Sequence, residues 1–216
     1  MDIDGGTVVI ASPYDDDNGA SASGSAYVFR TDDGGDSYVE VAKLTAVLDV
    51  LPKDYFGVDV AIAGDTIVVG AHQWTTTGAG KAFVFRTTDG GATYGQVAKL
   101  TAADAAVHDS FGISVAIAGA TIVVGTWGGE AAYIFHTSDG GATYVELSKL
   151  TADDAASWDD FGFSVAIDCA TVVAGAYSDN PGGSAYVFGA NLPTPCLLYT
   201  SPSPRDATLS RMPSSA

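Results

Sequence analysis

The side chains in this sequence that could do chemistry are a surplus of carboxylates, three tryptophans and three histidines. The densest acidic run is Asp15-Asp16-Asp17-Asn18-Gly19, a cluster of hard oxygen donors that could bind calcium, although it lacks the downstream bidentate acid that completes such loops. Trp74, Trp127 and Trp158 lie in irregular stretches between apolar runs, with Tyr177 and His72 at the place equivalent to Trp127. Exposed aromatic rings on loops are candidate contacts for a protein or a sugar ring. Catalysis finds less support. Nucleophilic chemistry needs a nucleophile beside a base, and His72, His108 and His136 have no Ser or Cys motif next to them. They are read as solvated loop residues, and Cys169 as a small buried one. Apart from the last stretch of the chain, the arginines are Arg30 and Arg86, too few to grip an acidic substrate. The expectation is a protein that is not an enzyme, with no catalytic residues and no certain cofactor.

Those residues must be carried by elements that the composition already narrows. The chain has 216 residues and a formal net charge of −17, which excludes a nucleic-acid binder, because a phosphate backbone needs a basic surface. Apolar residues come in runs of only five or six, too short for a membrane-inserting helix. Two cysteines, Cys169 and Cys196, exclude a disulfide scaffold or a thiolate metal site.

Self-similarity is the strongest signal. Phe56-Gly57, Phe111-Gly112 and Phe161-Gly162 each open a segment that closes 14 residues later at Gly70, Gly125 or Gly175, after a β-branched run. An apolar run ending in Phe29, Phe85, Phe135 or Phe188 follows, and four residues after the first three of these comes Asp-Gly-Gly, at Asp33, Asp89 and Asp139. Lys-Leu-Thr-Ala follows at Lys43, Lys99 and Lys149. Each unit carries four short strands, a to d, with turn signals between them and no helical periodicity. Such a meander cannot bury both faces alone, so units must pack radially. The fold class expected is all-β: a partial β-propeller of four-stranded antiparallel blades, about half of a roughly seven-bladed ring. Residues 1–55 form blade 1 with an incomplete strand a, 56–110 blade 2, 111–160 blade 3, and 161–195 blade 4 without strand d.

Phe-Gly followed at fixed spacing by Gly-Ala-Pro resembles the FG-GAP repeat of integrin α-subunit propellers and related surface proteins. Gly70-Ala71-His72, Gly125-Thr126-Trp127 and Gly175-Ala176-Tyr177 occupy the Gly-Ala-Pro place, and Ala11-Ser12-Pro13 keeps the proline. The resemblance implies a propeller used for adhesion and for protein or glycan recognition, extracellular or at the cell surface. It also implies a calcium cage between strands a and b, but here that loop is only Ala63-Gly64-Asp65, Ala118-Gly119-Ala120 or Asp168-Cys169-Ala170, so the usual cage is absent. A second resemblance is nested inside: Thr31 to Tyr38, Thr87 to Tyr94 and Thr137 to Tyr144 look like Asp-box hairpins, with Asp33, Asp89 and Asp139 as structural turn residues. The alternative reading is therefore a piece of an Asp-box glycan hydrolase whose catalytic residues lie outside this sequence. The acids before each Phe-Gly (Asp49, Asp54; Asp104, Asp109; Asp153, Asp154, Asp159, Asp160) read as a solvated d to a loop with Asp capping its turns.

Residues 196–216 resemble translated sequencing adapter, so they are read as a non-native, disordered tail. From the closing residue of strand b to the Phe of strand c the count is 18, 15, 10 and 13, whereas every other interval is fixed within one residue. Length variation confined to one loop class marks the binding face of a repeat protein, and the three tryptophans map to that face. The expected partner is a protein or carbohydrate. Val60, Ile62, Ile67, Val69, Phe83, Phe85, Val115, Ile117, Ile122, Val124 and Phe135 should be buried, with Gly57, Gly112 and Gly162 in tight packing.

Overall fold

Runs such as Thr66-Ile-Val-Val-Gly and Thr121-Ile-Val-Val-Gly are β-branched and bounded by Gly turns, so they pair rather than coil. The computed structural model describes residues 1–16, 19–46, 51–73, 78–179 and 182–189. Blade 1 contains β1 (Asp2–Asp4), β2 (Thr7–Ser12), β3 (Ser25–Arg30) and β4 (Val39–Leu44). Blade 2 contains β5 (Val60–Ala63), β6 (Thr66–Ala71), β7 (Lys81–Arg86) and β8 (Gly95–Leu100). Blade 3 contains β9 (Ser114–Ala118), β10 (Thr121–Gly125), β11 (Ala132–His136) and β12 (Val145–Leu150). Blade 4 contains β13 (Phe161–Asp168), β14 (Thr171–Ala176) and β15 (Ser184–Gly189). Every sheet is an antiparallel meander in chain order, and no described residue lies in an α-helix. The all-β partial propeller expected from the repeats is the fold observed.

In blades 1 to 3 the third and fourth strands share one irregularity that the repeats did not reveal. The register shifts at Val28/Phe29, Val84/Phe85 and Ile134/Phe135, a bulge that places an extra residue on the outer strand. The inner strands β1, β5, β9 and β13 touch one another in succession, so strand a of each blade lines the axis.

The core lies between blades. Val9, Ala26 and Val28 on the trailing face of blade 1 pack with Phe56, Val60, Ile62, Ile67, Val69, Phe83 and Phe85 on the leading face of blade 2. The next two junctions repeat this arrangement around Phe111 and Phe161. All the residues expected in the core are buried except Ile117, which is half-buried. The Phe-Gly pair is the junction itself. Gly112 has φ 90°, and a Cβ there would meet the carbonyl oxygen of Lys81 in the preceding blade at 2.1 Å. Gly112 N–H also donates to Gly125 O at 2.9 Å, which ties the start of strand a to the end of strand b and fixes the 14-residue spacing. Gly70 is just as confined, because its Cβ would meet Gly112 O at 2.0 Å.

Polar clasps reinforce the apolar contact. Asp2 and Asp4 accept from the Ile62 and Gly64 amides of blade 2, at 2.8 and 2.6 Å. Asp59 accepts from the Val115 amide of blade 3 at 2.8 Å, and Ser114 donates to Gly162 O of blade 4 at 2.8 Å. Burial pushes the Asp59 carboxyl above the usual range, and its two amide hydrogen bonds oppose that shift.

The aromatic loop face

Two loop classes emerge on one face, those from strand b to c and those from strand d to the next blade. They are stitched together by an acid that recurs before each Phe-Gly. Asp54, Asp109 and Asp159 accept, through Oδ2, the amides of Leu51, Ala106 and Ala156, each three residues earlier. Their backbone carbonyls accept from Gln73, Trp127 and Ser178 in the b to c loops of their blades. Asp capping the turn agrees with the sequence reading, but solvation does not: Asp54, Asp159 and Asp160 are buried. Asp49 lies outside the described residues.

A second acid, at a different repeat position, meets a tyrosine of strand c. Tyr133 donates to Asp104 at 2.8 Å, and Tyr186 to Asp154 at 2.8 Å. Lys149 adds an ion pair to Asp104 at 2.7 Å, which lowers that carboxyl below its ordinary value. Burial raises the Tyr133 hydroxyl to about 12, whereas for Tyr186 the hydrogen bond to Asp154 is the main cause of a similar rise. In blade 2 the two positions are held by Phe83 and Leu48, so phenol and carboxylate disappear together.

The acidic run offered for calcium is occupied differently. Asp15 Oδ2 accepts from Ser25 Oγ at 2.7 Å and Tyr27 Oη at 3.3 Å and pairs with Lys43 at 3.2 Å, contacts led by Ser25 that lower its carboxyl. Asp16 accepts from the Ala22 amide at 2.7 Å. Asp17 lies outside the described residues, among which no group of three or more acids, His or Cys is placed to hold a metal ion.

Asp33, Asp89 and Asp139 each organise their own hairpin on the opposite end of the blades. Asp89 accepts from Thr87 Oγ1 at 2.8 Å, from Thr93 N at 2.9 Å and from Thr93 Oγ1 at 2.6 Å, and the other two repeat this pattern. Hydroxyl donation, led by Ser37, Thr93 and Thr143 respectively, holds all three carboxyls well below the usual range. Arg86 donates to Gly140 O in the hairpin of the following blade, and Tyr94 and Tyr144 hydrogen-bond back to Thr7 and Thr66. The hairpins are thus further junction clasps.

Of the aromatic residues singled out, Trp158 is 81% exposed and Tyr177 73%. Trp127 and Tyr177 both meet Phe163, at ring distances of 6.3 and 5.5 Å, so the fold brings blades 3 and 4 together in one aromatic cluster. His72 belongs to a second cluster: it stacks on Tyr55 at 5.0 Å, and Tyr55 meets Tyr14 edge-on at 5.5 Å. Burial lowers the His72 imidazole to about 4. Trp74 lies outside the described residues. Phe163, Tyr55 and Tyr14 escaped the sequence reading. The signal for Phe163 was that it follows Phe-Gly, where Val58 and Ile113 stand in the other blades and suggest core.

Two other readings need correction. His136 is no loop residue: it ends β11, is buried, and places Nδ1 3.1 Å from Thr121 Oγ1, at the repeat position of Arg30 and Arg86. Cys169, in the turn after β13, is half-buried rather than fully buried, and Cys196 lies outside the described residues.

Glu130 is a positioning residue that the sequence did not advertise. It occupies the place of Gly24 and Gly80, each of which bridges to the next blade's Phe at a positive φ. At the third junction Glu130 takes φ 47°, and its carboxylate accepts from the Trp158 and Phe161 amides, both at 2.9 Å. The side chain that replaces the Gly bridge therefore positions the backbone of the exposed Trp158.

The FG-GAP repeat family matches residues 1–29, 38–85, 94–145 and 144–188. The chain belongs to the FG-GAP repeat family. Among solved structures, a crystal structure of a protein from Lactobacillus plantarum superposes with a TM-score of 0.52 at 16% identity, covering 78% of this chain and 46% of that one. This FG-GAP chain thus spans less than half the length of that solved protein, and the likeness is one of fold. No curated protein matches it.

Proposed function

We propose that this FG-GAP chain is a non-catalytic recognition module, extracellular or at the cell surface, whose loop face binds a protein or carbohydrate ligand. The observation that carries this reading is the grouping of Trp127 and Tyr177, on the b to c loops whose lengths differ between blades, with Phe163 of β13, and the exposure of Trp158 in the d to a loop that precedes blade 4. Open aromatic rings gain binding free energy when covered by an apolar side chain or the face of a sugar ring. Aromatic residues also dominate interface hot spots. The Asp-box carboxylates are engaged within their own turns, so a hydrolase reading draws no support from them.

The test is retention on a glycan array and on a panel of extracellular proteins, comparing the wild type with Trp158→Ala/Tyr177→Ala. The expected outcome is a ligand whose retention falls at least about tenfold in the double variant, as loss of a hot spot requires. Both side chains are exposed, so the melting temperature should hold. A ligand retained equally by both proteins would remove the loop face from the reading.

A further inference from the structure

Each loop that leads from strand d into the next Phe-Gly holds two non-glycine residues at positive φ, in register at all three junctions. Immediately before the Phe stand Tyr55 (φ 51°), Ser110 (φ 52°) and Asp160 (φ 58°). Ser110 and Asp160 are buried and Tyr55 is half-buried, so these side chains pack into the loop: Tyr55 stacks on His72, and Asp160 accepts from Ser178 Oγ at 2.5 Å. Three residues before the Phe stand Lys53 (φ 63°), His108 (φ 76°) and Trp158 (φ 76°), and all three are exposed. His108 keeps that exposure at the middle junction, which has a further blade on either side, so exposure belongs to the position itself.

The backbone at this position is held from outside its own loop. The Lys53 and His108 amides donate to Ser21 O and Gly78 O, in the b to c loops of blades 1 and 2, at 2.8 and 3.2 Å. The Trp158 amide donates to Glu130 Oε1, in the b to c loop of blade 3, at 2.9 Å. One residue on, the chain returns at every junction to the turn-capping Asp54, Asp109 or Asp159. The left-handed conformation is therefore imposed by the two loops together, whatever side chain stands there. Glycine adopts it without strain, and this chain uses glycine where shape alone matters, as at Gly57, Gly112 and Gly162. A lysine, a histidine and a tryptophan held there under strain, with their side chains in solvent, point to side chains kept for contact rather than for folding.

We propose that Lys53, His108 and Trp158 are the specificity positions of the loop face, and that together they read an extended segment of a protein partner. This assignment rests on the loop-face reading above and narrows it to one ligand class. Packed sheets stand about 10 Å apart, so three successive junctions span about 20 Å, the length of about six extended residues. A glycan of identical units laid along a repeating array would be met by the same side chain at each station. Here the backbone repeats while the side chains are an ammonium, an imidazole and an indole, which suits a ligand of varied sequence. Lys53 matches an acidic side chain of the partner, and Trp158 an apolar or aromatic one. Stations whose backbone is fixed before binding lose little further freedom when the partner arrives.

The experiment has one arm that needs no ligand. In thermal melts of the full chain, Lys53→Gly, His108→Gly and Trp158→Gly should each melt about 2 to 4 °C above the matching Ala variant, the reverse of the usual order. Ala variants as stable as their Gly counterparts would show that the positions are unstrained and overturn the proposal. In the second arm a phage-displayed library of random linear seven-residue peptides is selected on the wild type and on Lys53→Glu. Peptides enriched on the wild type should pair an acidic residue with an apolar or aromatic one, and each of the three Gly variants should retain them at least about tenfold less. Lys53→Glu should enrich Lys or Arg in place of the acid, an exchange that a merely structural Lys53 would not produce. No enriched peptide, or peptides indifferent to these substitutions, would overturn the proposal. A glycan from an array that Trp158→Gly loses but Lys53→Gly and His108→Gly keep would overturn it alone and leave the loop face as a carbohydrate site. Peptides and glycans retained equally by every variant would take the loop-face reading down with it.

Discussion

His72 ties the aromatic face to pH. Its imidazole is brought down to about 4 by burial, against about 6.5 in an unfolded chain. A histidine lowered on folding binds its proton more weakly when folded, so stability is full above the unfolded value. It is lost as pH falls through the window from about 6.5 to 4. With partial exposure screening the charge, the loss should be on the order of 2 kcal/mol. His72→Asn should flatten that slope in urea melts between pH 7 and 4, and an unchanged slope would place the titration elsewhere. Asp59 has the opposite sign. Burial raises its carboxyl, so the stability it contributes is complete below about pH 4 and fades as pH rises through the raised value. Asp59→Asn keeps an acceptor for the Val115 amide and should be near neutral at pH 7. Asp59→Ala strands that amide and should cost about 1 to 2 kcal/mol, measured as a shift in urea midpoint.

At the scale of the element, the turn glycines divide by what surrounds them. Gly64 has φ 55° with open space around it, so Gly64→Ala should cost only about 1 kcal/mol. Gly112→Ala must also displace the Lys81 carbonyl, and should cost about 3 kcal/mol or more. Thermal melts of the two variants side by side check this, and equal losses would show that Phe-Gly is not a packed junction. This part of the fold was legible in the sequence, because a glycine needed at every junction repeats in register, as do the Asp-Gly-Gly turns. Glu130 was not legible. Its role as a carboxylate bridge appears only once the shortened loop of blade 3 is seen to bring it under the Trp158 and Phe161 amides. Phe163 was hidden for a related reason: its position is semi-exposed on the loop face, and whether it reads as core or surface depends on the neighbouring rings rather than on its own period. Glu130→Ala should loosen the loop bearing Trp158, which hydrogen exchange at residues 156–161 would detect. Unchanged exchange there would deny Glu130 a positioning role.

At the scale of the whole molecule, the blades form a one-dimensional array, since each core is shared only by neighbours. Stability in such an array is a sum of unit and junction contributions, and cooperativity survives only while the junctions hold. Phe111 is fully buried at the middle junction, where it meets Tyr133 and Phe135 of its own blade at 5.6 and 6.0 Å. The same junction buries Val68, Ala82 and Val84 of blade 2. Phe111→Ala removes a large side chain and opens a cavity, so it should cost about 3 to 5 kcal/mol. That cost falls on the contact between the two halves rather than on either half. Blades 1–2 and blades 3–4 should then unfold separately, giving two urea transitions where the wild type gives one. Hydrogen exchange should lose protection first in β9 and in the trailing strands of blade 2. A single transition merely shifted to lower urea would mean that coupling runs mainly through the polar clasps of that same junction, Asp59 near the axis and Arg86 at the hairpin end. In that case the double variant Asp59→Ala/Arg86→Ala, rather than Phe111→Ala, should split the curve.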